Sequence, residues 1–418
     1  MTTTQRQTPS LRTRQELEEF EKVWLAPYAE KSANSRGRQY PSEPHPYRTE
    51  FQKDRDRIIH TTAFRRLQYK TQVFINYEGD YYRTRLTHTT EAAQMARTIA
   101  RALKVNEELA EGITLAHDLG HSAFGHSGEV TLDRLMLDRM GLDPNDPANA
   151  GKGFNHTVQS LRVVDRLERR WPTFVGLNLT WEMREGIVKH TTEYDIVPDE
   201  FKAPFMPEKR ASVEAQIVNF ADELAYSVHD LDDGLRSGVI TPDMLAEQGV
   251  SLWREIAGVS PQPFSELKRH MMIRRLFDLV VTDLIDASIA RLRAADPQSP
   301  DDVRSLPGLV VAPSADMDGR VRELKNFLYQ NMYRSPRVVR MFRKAERVLV
   351  ALFDAFEEDY RQLPDKTRAR LIECNPEVVD GGGFNLKGYR VITDYIAGMT
   401  DRYALQEYTR LYDPMERS

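Results

Sequence analysis

Residues 116–129 read AHDLGHSAFGHSGE, and this stretch decides how the rest of the chain is interpreted. It holds three of the ten histidines, together with Asp118 and Glu129. His117 and Asp118 stand at the end of a predicted helix, just before Gly120. Adjacent side chains inside a helix point about 100° apart, but at a helix end they can converge on one ion. The stretch therefore predicts either a metal centre or a set of hydrogen-bonded core histidines between two helices.

Helical periodicity dominates the sequence on both sides of this stretch. Asn106 is predicted to cap the helix that leads into His117, with Gly120 just past its end. Further helices are predicted over residues 86–104, 157–170, 180–190, 212–235, 263–294, 320–331, 338–363 and 388–411. A short β-hairpin is predicted around residues 72–82, where aromatic and β-branched residues flank EGD. Loops are predicted over residues 141–153, 198–209, 295–318 and 375–385.

Composition excludes several classes of protein. The 40% hydrophobic and 29% charged content is ordinary for a globular chain, and no run of about 18–20 apolar residues predicts a membrane span. The N-terminal twenty residues are polar and do not resemble a secretory signal. Cys374 is the only cysteine, so disulfides within the chain and Cys-based metal or redox sites are excluded. A reducing, cytoplasmic location is the expectation.

Charge is unevenly distributed along the chain. The net charge of −5 argues against a protein that is basic overall and binds nucleic acid for that reason. Residues 31–70 nevertheless hold ten Lys and Arg against four Asp and Glu. A second basic run spans residues 332–347, where Arg334, Arg337 and Arg340 would share one helix face if the helix continued past Pro336. Local basic zones suit a small anionic ligand or a subunit contact as well as a polyanion.

Two residues outside the opening stretch complete a candidate ligand set. His88 lies on the preceding predicted helix, and Asp222 lies on the long helix over residues 212–235. Two imidazoles and two carboxylates suit a transition metal such as Mn, Fe, Co or Zn, whereas Mg prefers an all-oxygen shell. Taken alone, the spacing does not separate this metal site from satisfied core histidines. No P-loop, Rossmann glycine pattern or HExxH sequence is present.

The longer motifs resemble one family. The pattern H…HD…D has intervals of 29 and 104 residues on a helical chain, and it is similar to that of the HD-domain phosphohydrolases. More narrowly, the chain resembles the bacterial deoxyguanosine triphosphate triphosphohydrolases (dGTPases) and dGTPase-like proteins. The similar stretches occur in the family's order at residues 48–74, 83–100, 117–129, 153–162, 176–190 and 213–238, with a weaker likeness at 323–338.

The resemblance implies an all-α HD-domain fold in three parts. Residues 1–45 would form a partly ordered N-terminal segment, residues 46–240 the HD-domain catalytic core, and residues 241–418 a helical region packed on that core. It also implies one divalent metal per active site, with Mn or Mg the expected ion in assays. The metal ligands would be His88, His117, Asp118 and Asp222.

The reaction implied by the resemblance is water attack at the α-phosphorus of a deoxynucleoside triphosphate (dNTP), which releases the nucleoside and tripolyphosphate. The poor 5′-alkoxide leaving group needs a proton donor, and His126 matches that position. Glu129, three residues on, would share a helix face with His126 and hold its tautomer. His121 and His156 match positions near the phosphates, where an imidazolium would offset their charge. An N-cap or core role is the alternative for His121 and His126.

Five further residues are candidate substrate contacts. Arg85 lies one turn before His88 and would face the α-phosphate. Tyr226 and Asp230 follow Asp222 at i+4 and i+8, so they would share its helix face. The resemblance implies that these two positions meet the deoxyribose, where a tyrosine under C2′ would exclude a ribose hydroxyl. Gln72 matches a position that reads the 3′-hydroxyl, and Lys189 is a weaker phosphate candidate. Core packing or surface exposure remains the alternative for each.

Two rival functions stay open on the sequence. One is an HD phosphohydrolase for another phosphoester, such as a nucleoside monophosphate, a cyclic nucleotide or an alarmone. The other is a regulator that binds a dNTP or single-stranded DNA without turnover. The resemblance further implies a homo-oligomer, and it leaves a dNTP effector and single-stranded DNA open as partners. Ser122 and Ala123 stand where the family more often has a proline-containing pair, which leaves the preferred base open.

Overall fold

The fold is built from helices whose starts are set by polar caps. The computed structural model describes residues 12–73, 82–149, 151–190, 197–258 and 263–416. Side chains of Thr84, Asn106, Thr180 and Ser212 each accept a backbone N–H from the first turn of the helix that follows. Strand pairing in the described residues is limited to isolated bridges, so the predicted all-α class is confirmed.

The N-terminal half contains the helices that build the site. They are α1 (Arg14–Trp24), α2 (Glu50–Ile59), α3 (Thr62–Arg66), α4 (Arg85–Ala102), α5 (Glu107–His117), α6 (Gly125–Met140), α7 (His156–Arg162), α8 (Trp181–Val188), α9 (Asp199–Lys202) and α10 (Val213–Ser237). A 3-10 turn, Asp118–Gly120, follows α5. Helices α4, α5 and α10 pack on one another, which brings His88, His117 and Asp222 together.

The C-terminal half is also helical. Its elements are α11 (Pro242–Glu247), α12 (Ser251–Ala257), α13 (Glu266–Ala295), α14 (Pro300–Arg304), α15 (Ala315–Leu328), α16 (Pro336–Glu358), α17 (Asp365–Cys374), α18 (Leu386–Ala397) and α19 (Asp401–Tyr412). The larger apolar core joins side chains of α4 and α10 to those of α13, α15, α16 and α18. No helix in the described ranges is long and apolar enough to cross a bilayer.

Several predicted boundaries were wrong, for local reasons. The predicted helix over 388–411 is two helices, because the chain breaks at Gly398 and Thr400 caps a new start. The helix predicted from residue 338 begins at Pro336, whose fixed φ and missing N–H suit a first helical position. Arg334 therefore lies before that helix and does not share a face with Arg337 and Arg340.

Other differences concern turns and loops. The helix predicted over 157–170 ends at Arg162 and continues as a single π-helical turn, Val163–Leu167. The predicted loops over 198–209 and 295–318 contain the short helices α9 and α14. Most of the predicted hairpin lies outside the described residues, since residues 74–81 are not among them. The division at residue 240 stays a prediction.

A buried ion-pair network ties the N-terminal segment to the body of the protein. Arg304 is 1% exposed, and its guanidinium donates to Glu30 Oε1 at 2.5 Å and to Glu185 Oε2 at 2.6 Å. Burial alone lowers the pKa of Arg304, but the two carboxylates outweigh it and raise that pKa. The network thus joins residue 30, α8 and α14 through one cation.

Removal of that cation is expected to destabilise the fold. Arg304→Met leaves Glu30 and Glu185 buried without their partner, and breaking a buried ion pair costs about 3–5 kcal/mol. Urea unfolding would measure the loss as a lower midpoint. Arg361→Met is the matched control, because Arg361 pairs with Asp359 on the exposed surface. Equal midpoints for the two variants would contradict the proposed role of Arg304.

Candidate active site

Three predicted metal ligands converge from three helices. His88 Nε2 lies 2.7 Å and His117 Nε2 lies 3.2 Å from Asp222 Oδ1. Ligand atoms of these residues all lie within 4.8 Å of one another. Asp118 completes the group, with Oδ1 at 3.3 Å from His117 Nε2. The structure therefore brings together all four residues that the resemblance implied as ligands.

Contacts on the far side of each imidazole orient its ring. His117 Nδ1 lies 2.5 Å from the carbonyl oxygen of Thr114, so Nδ1 carries a proton and Nε2 is directed at Asp222. His88 Nδ1 lies 3.2 Å from His229 Nδ1, and His229 Nε2 lies 2.5 Å from Glu91 Oε2. Both predicted ligand histidines therefore direct Nε2 at the cluster, where a cation would take the place of any proton on that nitrogen.

This donor set fits a divalent cation. Two imidazole nitrogens and a carboxylate oxygen directed at one point are donors that a divalent cation binds. Burial raises the pKa of Asp222 and of Asp118, but His117 outweighs it and holds both values well below their ordinary range. Burial lowers the pKa of His117, whereas Asp118 and Asp222 raise it to about 9. Without a cation, a proton on His117 therefore offsets carboxylate charge in the cluster, and the mixed N and O donors are those that Mn, Fe, Co or Zn prefers.

Asp118 also organises the side of the cluster that faces the cavity. Its carboxylate accepts from Arg85 Nη1 at 3.1 Å, from Thr89 Oγ1 at 3.4 Å and lies 3.2 Å from His121 Nε2. Arg85 Nε has no hydrogen-bond partner among the described residues, although the atom is buried. Arg85 thus stands between a metal ligand and the cavity, where its fork can meet a phosphate oxygen.

The predicted pairing of Glu129 with His126 is wrong. Glu129 instead accepts from the backbone N–H of His156 at 2.8 Å and lies 3.0 Å from its Nδ1. His156 stacks on His121 with ring centroids 3.8 Å apart. Burial raises the pKa of Glu129, but His156 outweighs it and lowers that pKa. The Glu129 carboxylate therefore orients the stacked imidazoles of His156 and His121 rather than that of His126.

The surroundings of His126 and Glu129 differ because of the backbone conformation at the start of α6. Phe124 and Gly125 have left-handed backbones, with φ of 63° and 58°, and α6 begins at Gly125. Both residues line the cavity described below, but His126 in that first turn is exposed, whereas Glu129 is only 8% exposed. Burial and the nearby Arg85 guanidinium hold the pKa of His121 well below its usual range. This lowering favours the neutral form of His121 rather than the imidazolium that the resemblance implied.

A cavity of about 340 Å³ opens beside the metal cluster. Eleven of the thirteen predicted site residues line it, and His117 and Lys189 are the two that do not. Tyr226 and Asp230 form one wall with Tyr333, whose hydroxyl donates to the carboxylate of Asp230 and contacts the hydroxyl of Tyr226. The rings of Tyr226 and Tyr333 are nearly parallel, at 7° and 6.1 Å. Burial raises the pKa of Asp230 well above its ordinary value.

Lys189 is not part of this cavity. Its amine donates to Glu185 at 3.1 Å and to the carbonyl oxygens of Lys209 and Arg210 at 3.0 and 3.2 Å. The next residue, His190, belongs to the site instead, with Nε2 at 3.4 Å from Asp222 Oδ2 and Nδ1 at 2.7 Å from Asn219 Oδ1. Lys189 therefore does not reach the cavity, and the neighbouring His190 contacts the predicted metal ligand Asp222 instead.

Three other site residues were missed at the sequence level. His229 and Glu91 lie behind His88, and Tyr333 comes from the C-terminal half. Tyr226 and Asp230 were already candidate substrate contacts, so His229, which lies between them in the sequence, could have been proposed as a site residue. Tyr333 lies within the YRSPR stretch, but nothing in its local sequence places it against Asp230.

Comparisons with known proteins identify the family of this chain. Residues 85–227 match the family described as HD domain, and residues 311–410 match the family described as phosphohydrolase-associated domain. Deoxyguanosinetriphosphate triphosphohydrolase-like proteins of Geobacter sulfurreducens and Ralstonia nicotianae are each 48% identical to this chain. The match covers 95% of this chain and 97% of the first relative, and 93% of this chain and 94% of the second.

A solved structure was also matched. It is a hypothetical protein from Aquifex aeolicus, with 18% identity, coverage of 78% of this chain and 79% of that chain, and a TM-score of 0.26. A TM-score of that size does not establish a common fold.

Proposed function

The chain belongs to the deoxyguanosinetriphosphate triphosphohydrolase-like family of HD-domain proteins, and from that premise we propose that it is a metal-dependent dNTP triphosphohydrolase. It would hydrolyse dGTP or another dNTP to the deoxynucleoside and tripolyphosphate. One observation carries the proposal: a single cavity holds metal ligands, an exposed imidazole and a tyrosine–carboxylate wall that suits a deoxyribose. A plain phosphomonoesterase would not need the last feature.

A divalent cation bound by His88, His117, Asp118 and Asp222 would polarise the α-phosphate and promote ionisation of the attacking water. Side chains of the protein would bind the phosphates and supply the proton to the leaving group. Arg85 would bind an α-phosphate oxygen through its unpaired Nε. His126 would give a proton to the 5′-oxygen as the P–O5′ bond breaks, since its exposed ring can reach a ligand in the cavity. The stacked His121 and His156, oriented by Glu129, would donate hydrogen bonds to the outer phosphates.

The sugar would be recognised at the opposite wall. The carboxylate of Asp230 accepts a hydroxyl proton from Tyr333, and a 3′-hydroxyl can donate to the same group in its place. Gln72 Oε1 is buried without a partner among the described residues, so it can accept a second bond from the sugar. The Tyr226 ring beside Asp230 would leave no room for a 2′-hydroxyl. Deoxy selectivity thus follows from packing rather than from charge.

Product identification tests the proposed reaction. Mn-loaded protein would be incubated with each dNTP and NTP, singly and in mixtures, and the phosphate products resolved by anion exchange. Tripolyphosphate from dNTPs alone is the expected result, and it would also identify the base. Orthophosphate or pyrophosphate would indicate another phosphoester substrate. The absence of product from all mixtures would favour a ligand-binding regulator, and assays with added dNTP or single-stranded DNA would detect an effector.

The Tyr226→Ala variant tests sugar selectivity. Removing the ring opens space under C2′, so the ratio of kcat/KM for the preferred dNTP over the matching NTP is expected to fall about tenfold. Competition between the two nucleotides in one reaction would measure that ratio. Tyr408→Ala is the control, because Tyr408 lies on α19 and is 36% exposed. An unchanged ratio in Tyr226→Ala would remove this residue from the selectivity mechanism.

A further inference from the structure

A carboxylate from the C-terminal half reaches two loops of the site. Asp401 is the first residue of α19 and is only 2% exposed. Its Oδ1 accepts the backbone N–H of Phe124 at 2.8 Å. Its Oδ2 accepts the backbone N–H of Thr71 at 2.8 Å and also the Thr71 hydroxyl. One side chain therefore satisfies three donors that belong to two separate segments.

Each of these segments carries a residue of the cavity. Thr71 directly precedes Gln72, and Phe124 lies two residues before His126. Phe124 adopts a left-handed backbone, which a non-glycine residue keeps only when its surroundings hold it. The segments also approach closely, since a Cβ added at Gly125 would lie 3.2 Å from the carbonyl oxygen of Thr71. A small shift of either segment would therefore move Gln72 or His126 in the cavity.

A second contact connects the same regions. Lys70, which is 2% exposed, donates through Nζ to the carbonyl oxygen of Ala397 at 3.0 Å and to that of His121. Ala397 ends α18 and Asp401 begins α19. The turn between these helices thus contacts the Thr71 segment through both residues and the Phe124 segment through Asp401. We call residues 397–401 the clamp turn.

Docking of α19 does not by itself explain a buried carboxylate in the clamp turn. Ala397, Met399 and Ala404 are all buried and supply apolar contacts for that purpose. Burial of a carboxylate costs free energy unless its hydrogen bonds are satisfied, and burial raises the pKa of Asp401. The three hydrogen bonds of Asp401 are made to the two segments that carry Gln72 and His126, so we attribute the burial of this carboxylate to the placement of those segments.

We propose that Asp401 is a positioning residue that fixes Gln72 and His126 relative to each other from outside the HD-domain match. The segment that carries the proton donor and the segment that carries the sugar contact would then move as one unit. The geometric part of this inference does not depend on the reaction. Its effect on turnover rests on the proposed triphosphohydrolase function.

Amide hydrogen exchange tests the geometric part without any substrate. Asp401→Ala removes both acceptor oxygens, so exchange in peptides that contain Thr71 and Phe124 is expected to accelerate at least tenfold. Asp401→Asn keeps one acceptor and should accelerate exchange mainly at one of the two; it also serves if the alanine variant does not fold. The matched control is Glu407→Gln, a buried residue of α19 whose partners are Tyr395 and Arg410. Unchanged exchange in both Asp401 variants would overturn the inference.

A double-mutant cycle tests the effect on turnover. Asp401→Asn is expected to lower kcat about tenfold or more while metal content stays at the wild-type level, because misplaced reacting groups are costly. In a His126→Ala background the same change should lower kcat less than twofold, since the proton donor is already absent and displacement of Gln72, a sugar contact, acts mainly on KM. Equal losses in both backgrounds would show a merely structural role and overturn the proposal. If the wild type forms no tripolyphosphate, the proposed function fails, and hydrogen exchange still decides the clamp.

Discussion

Asp118→Ala is expected to abolish both metal binding and turnover. Asp118 is one of four predicted ligands and also the partner of Arg85 and His121. Its removal leaves the Arg85 guanidinium beside the cluster without the carboxylate that neutralises it, so a cation is repelled as well as less well coordinated. Loss of metal-ion catalysis removes several kcal/mol of transition-state stabilisation, or about 10³-fold or more in rate. Elemental analysis and tripolyphosphate release would measure the two effects on one sample.

A control separates this effect from general damage. Asp165→Ala removes a carboxylate that pairs with Arg184 and makes no contact with the metal cluster. It is expected to keep both the metal and the rate. Full activity in metal-depleted Asp118→Ala protein would refute the metal-dependent mechanism. His117→Ala should reproduce the loss, because its Nε2 is held toward the cluster by the Thr114 carbonyl.

The convergence of the metal ligands could be predicted from sequence because it depends on regular elements. His88 and Asp222 lie inside long helices, and His117 ends a helix whose cap, Asn106, is readable. Once such helices pack side by side, their inward positions must meet. The orientation of the two imidazoles, which depends on Thr114 and on the His229–Glu91 pair, favours the metal site over a set of core histidines.

Contacts set by irregular backbone could not be predicted in the same way. The i,i+3 spacing of His126 and Glu129 predicts a shared face, but α6 begins only at Gly125, after a left-handed Phe124. His126 is therefore exposed in the first turn, while the buried Glu129 pairs with His156. Tyr333 and Asp401 reach the site from more than 100 residues away along the chain, as their bonds to Asp230 and Phe124 show. Local sequence carries no information about such pairs.

His126→Ala is expected to keep the metal and lose most of the turnover. His126 is not in either described group of His, Asp and Glu side chains that could hold a metal ion, so the cluster should form unchanged, as elemental analysis would show. Without the imidazole, the 5′-oxygen must leave as an alkoxide or take its proton from water. Removal of a general acid typically costs about 10²–10⁴-fold in rate. The loss should appear in kcat more than in KM, because protonation of the leaving group occurs in the transition state.

The structure also predicts how this variant differs from Glu129→Gln. Glu129 orients His156 rather than His126, so its loss should weaken phosphate binding and raise KM more than it lowers kcat. Added imidazole is expected to restore part of the rate in His126→Ala, since that side chain is exposed to the cavity, but none in Glu129→Gln. A wild-type rate in His126→Ala would assign the proton donor elsewhere, with His121 and His156 as the neighbouring candidates. Matching kinetic defects in both variants would instead restore the His126–Glu129 pair that the sequence predicts.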